Sequence, residues 1–263
     1  MEKLPISDLS KTYTHSTKRI ILLDYDGTLV PLKPHPNEAV PGKEVKNILA
    51  NLANNPRNQV VVISGREKES LDLWLSGLNL ILVAEHGGFF KEPGEAWQTF
   101  FSEPTEWKAK LIPPLTTLVF SHEGSFIEEK RYSISWHYRQ IEEKVQPEID
   151  QILAAFRALP FSNEFLIVDE DCTLEFRTHG INKGKFVSRW LGRFHFDFLL
   201  AIGDGETDED IFSLIDKPHY SVRVGKSISS NARYYVEEQS EIISVLRILT
   251  ELPGNQPPKW FLN

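Results

Sequence analysis

A single cysteine in 263 residues, Cys172, leaves no intrachain disulfide to form and suits a reducing compartment. No apolar run approaches the roughly 20 residues of a membrane-spanning helix. The first eighteen residues, MEKLPISDLSKTYTHSTK, lack the apolar centre of a secretory leader. The cytoplasm is the expected location. Basic charge is also short: 29 Lys and Arg against 37 Asp and Glu give a formal charge of −8. A polyanion held by general electrostatics would be repelled, which argues against a nucleic-acid partner. An anionic ligand would have to be held locally, by a metal or by a few placed cations. There are no internal repeats and no low-complexity tracts. The apolar and charged fractions, 41% and 25%, are those of an ordinary globule, long enough for one large domain or two modest ones.

What is present starts at residues 19–29, RIILLDYDGTL. Ile20–Leu23 reads as a strand buried on both faces, as in the middle of a parallel sheet. Such a strand delivers Asp24, Asp26, Gly27 and Thr28 to the carboxyl edge of the sheet, where open α/β folds bind ligands. A Pro-rich loop follows (Pro31, Pro34, Pro36), then a helix starting near Pro41 with Val45, Ile48, Leu49 and Leu52 on one face. Val60–Ile63, a helix over Glu67–Ser76 and a strand over Leu80–Ala84 complete a strand–helix–strand–helix–strand run. That order predicts a doubly wound parallel sheet.

The rhythm then changes. Ser102–Ser121 reads as a helix interrupted by Pro113-Pro114, followed by strands near Ser125–Glu129 and Tyr132–Tyr138. An amphipathic helix is predicted over Glu142–Leu159, then short strands near Phe165–Val168 and Thr173–Arg177. This α-β-β-α-β-β order predicts an inserted α+β cap domain over 105–179, within an α/β core formed by 1–104 and 180–263. From Lys183 the core pattern resumes, with a buried strand at Phe198–Ile202, a helix at Glu209–Ile215, a strand at His219–Val224 and a last helix at Glu241–Leu249. The terminal stretch GNQPPKWFLN, with Trp260 and Phe261, could dock on a partner or on the core.

Four strand ends of the core carry polar groups: Asp24 and Asp26; Ser64-Gly65-Arg66; Lys183; Asp204 and Asp208. In a doubly wound sheet these ends converge on one crevice. Phosphoryl transfer needs a nucleophile, a proton donor for the leaving oxygen and positive charge around the phosphoryl oxygens. Asp24, first after its strand, is placed to attack phosphorus and form an aspartyl-phosphate. Asp26 is placed to act as acid, then as base toward water. Carboxylates and phosphate repel, so Mg²⁺ is expected on Asp24, the Asp26 backbone carbonyl and Asp204, with Asp208 as a further or water-mediated ligand. Ser64 can hold a phosphoryl oxygen, cap the helix that follows, or both. Lys183 sits at a helix start, where the macrodipole disfavours a cation, so an anionic partner such as Asp24 is expected.

With these residues assembled, the chain resembles the haloacid-dehalogenase-like phosphatases, and DYDGTL (24–29), Ser64, Lys183 and GDGETDED (203–210) match that family's four motifs in order. A narrower resemblance is to the trehalose-6-phosphate phosphatases, through ISGR (63–66), VAEHGG (83–88), GSFIEEKRYSISWHYR (124–139) and LEFRTHGINKGK (174–185). One departure is Gly205, where many members have a second Asp. The resemblance implies a Rossmannoid core, Mg²⁺, and hydrolysis of trehalose 6-phosphate, with sucrose 6-phosphate or mannosyl-3-phosphoglycerate as neighbouring substrates. A phosphomutase or a non-catalytic sugar-phosphate sensor are the readings it leaves behind. It implies substrate contacts from Arg66, Glu85 and His86 in the core. From the cap it implies Glu128, Lys130, His137, Arg139 and Glu175, with Glu129 and Arg177 beside them. A trehalose-phosphate synthase is the macromolecular partner it suggests, and the chain is expected to be a monomer. The alternation of Ser133, Ser135 and His137 with Ile134, Trp136 and Tyr138 independently gives the cap sheet one polar face suited to sugar hydroxyls.

Overall fold

The computed structural model describes residues 1–101, 105–170 and 172–252; the terminal stretch singled out above lies outside them. The chain divides into two compact units, residues 1–100 with 182–263 and residues 101–181, against the expected insert of 105–179.

The first unit opens with two elements that the sequence reading leaves out, β1 (Glu2–Lys3) and α1 (Ile6–His15). Then come β2 (Arg19–Asp24), α2 (Lys43–Ala53), β3 (Asn58–Ile63), α3 (Lys68–Leu75), β4 (Ile81–Ala84) and β5 (Phe89–Lys91). The insert follows as α4 (Trp107–Ser121), β6 (Phe126–Glu129), β7 (Ser133–His137), α5 (Glu142–Val145), α6 (Ile149–Arg157), β8 (Phe165–Glu170) and β9 (Thr173–Thr178). The first unit resumes with α7 (Lys183–Leu191), β10 (Phe198–Gly203), α8 (Glu209–Phe212), β11 (Tyr220–Val224), β12 (Tyr234–Val236) and α9 (Gln239–Glu251).

The core sheet has the order β1-β12-β11-β10-β2-β3-β4-β5, parallel except for the antiparallel edge strand β5. Its alternating side chains feed two apolar layers. Ile21, Leu23, Val60 and Val62 pack with residues of α1, α2, α3 and α9. Ile20, Leu22, Val61 and Ile63 pack with α7 and α8. Each fully buried aliphatic side chain contributes about 1.5–3 kcal/mol, so β2, buried at all six positions, is fixed in the centre of the sheet. Register then decides where the chemistry lies. Asp24 stands beside Ile63 of β3, and Leu23 beside Ile202 of β10, so the segments after all three strands emerge together.

The insert is a four-stranded antiparallel sheet, β6-β7-β9-β8, whose apolar face packs Ile134, Trp136, Leu174 and Phe176 against α4 and α6. Two expectations are corrected here. α4 runs unbroken through Pro113 and Pro114. Each proline forfeits one backbone bond, but Trp107, Leu111 and Leu115 bury one stripe of the helix, and that packing outweighs the loss. The helix expected over Glu142–Leu159 is in fact split, with a turn carrying Pro147 between α5 and α6. Arg139 lies outside the sheet: β7 ends at His137, and Arg139 begins a 3₁₀ turn.

Candidate active site

At the carboxyl end of β2 the turn closes on itself: Gly27 N–H donates to the Val30 carbonyl (2.7 Å), and the Leu29 and Val30 N–H groups donate to the Tyr25 carbonyl (2.9 and 3.0 Å). Gly27 has φ +76°, and a Cβ there would lie 1.9 Å from Asp204 Oδ2. Only glycine admits both that backbone conformation and so close an approach of the Asp204 carboxylate.

Lys183, first residue of α7, is buried, and its Nζ donates to Asp24 Oδ1 (2.6 Å) and Asp208 Oδ1 (2.9 Å). This is the anionic partner that its place at a helix start calls for. Asn182 caps the helix by accepting from Lys185 N–H (2.7 Å). Burial alone would lower the Lys183 pKa, yet Asp208 and Asp24 drive it up, so the ammonium stays charged. Burial pushes Asp24 well above the usual carboxylate range, and the Asp208 and Asp204 charges add to that, while Lys183 works against it. Asp208 Oδ2 accepts from Gly205 N–H (3.1 Å). A Cβ on Gly203 would come 2.2 Å from the Asp208 carboxyl carbon, so this glycine too is dictated by a neighbouring acid.

Asp24, Asp204 and Asp208 each offer an oxygen within 4.8 Å of the others. Asp24 Oδ2 is buried with no hydrogen-bond partner among the described residues. A buried acceptor without a donor, set among carboxylates, fits a hard divalent cation, which takes oxygen ligands. The Asp26 side chain is not part of this group. Its carboxylate is instead gripped by Arg66, Nε to Oδ2 (2.8 Å) and Nη2 to Oδ1 (2.6 Å). Arg66 also donates to the Pro36 carbonyl (2.6 Å), and its guanidinium lies over the Trp74 and Tyr25 rings at 4.9 and 5.3 Å.

Ser64 follows β3, and its buried Oγ accepts from Arg66 N–H (3.1 Å). It caps no helix, because α3 starts at Lys68 with Glu67 as its N-cap residue. Glu85 and His86 follow β4 with φ of 47° and 56°, and they donate backbone N–H bonds to the Arg66 and Ser64 carbonyls, both at 2.9 Å. The His86 ring covers Gly65, where a Cβ would meet Nε2 at 2.5 Å. Thus the loops after β3 and β4 are laced together. The sequence reading misses Arg223 of β11, which donates to the Gly205 carbonyl (3.1 Å) and to Glu209 (2.8 Å) and so braces the acidic loop. No motif marks it.

In the inserted unit, Glu128 lies 2.9 Å from His137 Nε2 and 3.2 Å from Lys130 Nζ. Thr173 Oγ1 is 3.2 Å from His137 Nδ1, and the Phe126 ring stacks on the imidazole at 4.7 Å. Burial alone would raise Glu128, but the His137 hydrogen bond and the Lys130 charge outweigh it and hold the carboxyl at about 2. Glu175 and Arg177, both buried, stand 3.7 Å apart on the same sheet face. Glu129 pairs instead with Lys108 at 2.8 Å. Arg139 stands on the turn after β7.

A family model described as Trehalose-phosphatase matches residues 22–241. The chain is 34% identical, over 92% of its length, to an alpha,alpha-trehalose-phosphate synthase (UDP-forming) B of Dictyostelium discoideum. It is 36% identical, over 82% of its length, to a trehalose-phosphatase of Schizosaccharomyces pombe. It spans only 32% and 27% of those two relatives. A solved structure, the C-terminal domain of C. albicans trehalose-6-phosphate phosphatase, superposes with a TM-score of 0.88 at 27% identity, covering 95% of this chain and 99% of that one.

Proposed function

The chain belongs to the trehalose-phosphatase family, and on that premise we propose that it hydrolyses trehalose 6-phosphate to trehalose and phosphate. The observation that carries this reading is the buried Lys183 ammonium bridging Asp24 and Asp208 while Asp24 Oδ2 is left without a donor. That is a carboxylate held still, with one oxygen spare.

In the first step the Asp24 carboxylate attacks phosphorus. A phosphorus–carboxylate bond forms, and the bond from phosphorus to the sugar oxygen breaks. Asp26 supplies the proton that the departing oxygen takes. In the second step Asp26 accepts a proton from water, whose oxygen opens the aspartyl-phosphate, releasing phosphate and restoring Asp24. Lys183 tempers the negative charge around Asp24, and the Ser64 hydroxyl, already accepting from Arg66 N–H, keeps its own O–H to give to a phosphoryl oxygen. Mg²⁺ on Asp24, the Asp26 carbonyl and Asp204, with Asp208 beside it, would offset the charge of the phosphoryl oxygens. Arg66 takes one lone pair of each Asp26 oxygen, so proton transfer uses the lone pairs left over. Arg66 thereby acts on the acid/base as well as on any phosphate it reaches.

The polar sheet face of the insert, with Glu128, Lys130, His137 and Glu175 and with Arg139 just beyond it, supplies charged partners for sugar hydroxyls in this reading, and Glu85 and His86 supply further ones. In this reading the reaction belongs to the cytoplasm, a reducing compartment of the kind that a single cysteine suits. A trehalose-phosphate synthase is its natural neighbour, since one relative bears that name.

The test is phosphate release from trehalose 6-phosphate, sucrose 6-phosphate, mannosyl-3-phosphoglycerate and an aryl phosphate, with Mg²⁺ and with chelator. Trehalose 6-phosphate should give the highest kcat/KM, and chelation should abolish it. A higher value for another glycosyl phosphate would reassign the substrate, and turnover untouched by chelator would remove the metal.

A further inference from the structure

The amino-terminal edge of the core sheet, at the other end of the strands from the carboxylates, holds a cleft of about 330 Å³. Three segments line it: the entry to β2 at 17–20, the entry to β3 at 56–59, and the connection 193–196 between α7 and β10. β2 is six residues long, which places the cleft roughly 17 Å from Asp24.

Its rim is cationic in a protein whose formal charge is −8. Lys18 and Arg57 are exposed and make no ion pair among the described residues. Arg193 has Glu92 at 3.0 Å, and His195 completes the rim. The nearby Asp197 carboxylate is already engaged, accepting from the Thr17 and Lys18 N–H groups (both 2.8 Å) and the Thr17 hydroxyl (2.9 Å). The floor is apolar, with Ile20 buried and Phe194 and Phe196 half-buried. Gln59 is also among the lining residues, and its Oε1 is buried with no hydrogen-bond partner among the described residues. Cations just past the ends of α2 and α7 complement the helix dipoles, worth about 0.3–1 kcal/mol each. That accounts for Arg57 and Arg193. It accounts neither for Lys18 nor for a buried amide oxygen without a donor, which costs about 1–3 kcal/mol if nothing meets it.

We propose that this cleft is a second binding site, for a small hydroxylated organic phosphate. The phosphate lies between Lys18 and Arg57, the Gln59 amide turns to bring Oε1 to a ligand hydroxyl, and the apolar side of a sugar or base rests on Phe194 and Phe196. Sugar phosphates and nucleoside monophosphates share that chemistry, and the volume is at the small end of ligand pockets.

Calorimetric titration of the full chain carrying Asp24→Asn, so that nothing is turned over, tests it with glucose 6-phosphate, adenosine 5′-monophosphate and inorganic phosphate as probes. One of the organic phosphates should bind at least about 5-fold tighter than inorganic phosphate, which corresponds to roughly 1 kcal/mol. Adding Lys18→Glu with Arg57→Glu should weaken it at least tenfold. In the otherwise unaltered chain, that double change should leave turnover without added ligand at its original rate. Gln59→Leu should erase the preference over inorganic phosphate and keep inorganic phosphate binding. Tighter binding of one organic probe tells the two ligand sources apart. Affinity unchanged by the double variant, no preference over inorganic phosphate, or no heat at millimolar ligand would each overturn the proposal.

Discussion

The carboxylate cluster of the core and the polar sheet face of the insert use the same residue types in opposite ways. In the core, Lys183, Asp24 and Asp208 have side chains only 2–7% exposed and meet at 2.6 and 2.9 Å. In the insert, Glu128, His137 and Lys130 meet at 2.9 and 3.2 Å, with side chains 10–27% exposed. The core set hangs on the end of β2, the start of α7 and the loop after β10, and is cradled by glycines that a Cβ would spoil. The insert set rises from neighbouring strands of one sheet and is placed by alternation alone. A buried charge deprived of its partner has nowhere to go, whereas a partly exposed one is rescued by water. Loss of one group should therefore be catastrophic in the core and graded for Glu128, His137 and Lys130 of the insert.

The sharpest way to break that contrast is Asp24→Asn. It keeps the shape of the proposed nucleophile and removes its charge, and kcat should fall by about 10⁴-fold or more with the far-ultraviolet circular dichroism unchanged. Activity near the original level would mean that the core cluster is structural. Next comes Lys183→Met, which strands Asp24 and Asp208 as buried like charges. Stability measured by urea unfolding in chelator should fall by about 3–5 kcal/mol. A loss below about 1 kcal/mol, the range of exposed pairs, would erase the distinction between the two regions.

How far the sequence alone reached follows the same division. Asp24, Ser64, Lys183 and Asp204 are legible because each follows or opens an element whose apolar pattern is unmistakable, and the parallel order brings those ends together. Arg66 shows the limit: its motif marks it as important, but only the fold reveals that its guanidinium spans both oxygens of Asp26. Asp208 shows it again, since nothing in GDGETDED says that one acid will reach Lys183. Two-residue β1 and three-residue β5 and β12 escape because so few residues display no period. The prolines mislead in both directions: Pro113 and Pro114 are carried by the packing of α4, whereas Pro147 lies in the break between α5 and α6. Local chemistry cannot decide which outcome obtains; tertiary burial does.

A smaller effect sharpens the comparison from the other side. His137→Ala or Glu175→Ala should raise KM for trehalose 6-phosphate by about 10- to 100-fold, the worth of one charge-assisted hydrogen bond. KM for a small aryl phosphate, which has no hydroxyls to offer, should barely move. Equal changes for both substrates would make the insert's polar face a structural feature and leave the core to do all the recognition.

The smallest expected effect reads the insert's electrostatics directly. Glu128 is held at about 2 against an ordinary value of 4.5, so the folded protein binds its proton less readily than the unfolded chain. A carboxyl depressed in this way contributes stability fully above the unfolded value and loses it as pH falls through the folded one. The contribution is at most about 3 kcal/mol, and less because the side chain is partly open to water. Unfolding free energies of the native chain and of Glu128→Gln should accordingly differ most above pH 4.5 and converge as the pH falls toward 2. If the gap stayed constant across that window, His137 and Lys130 would not be holding Glu128 ionised, and the insert would resemble the core in needing its groups for packing rather than for charge.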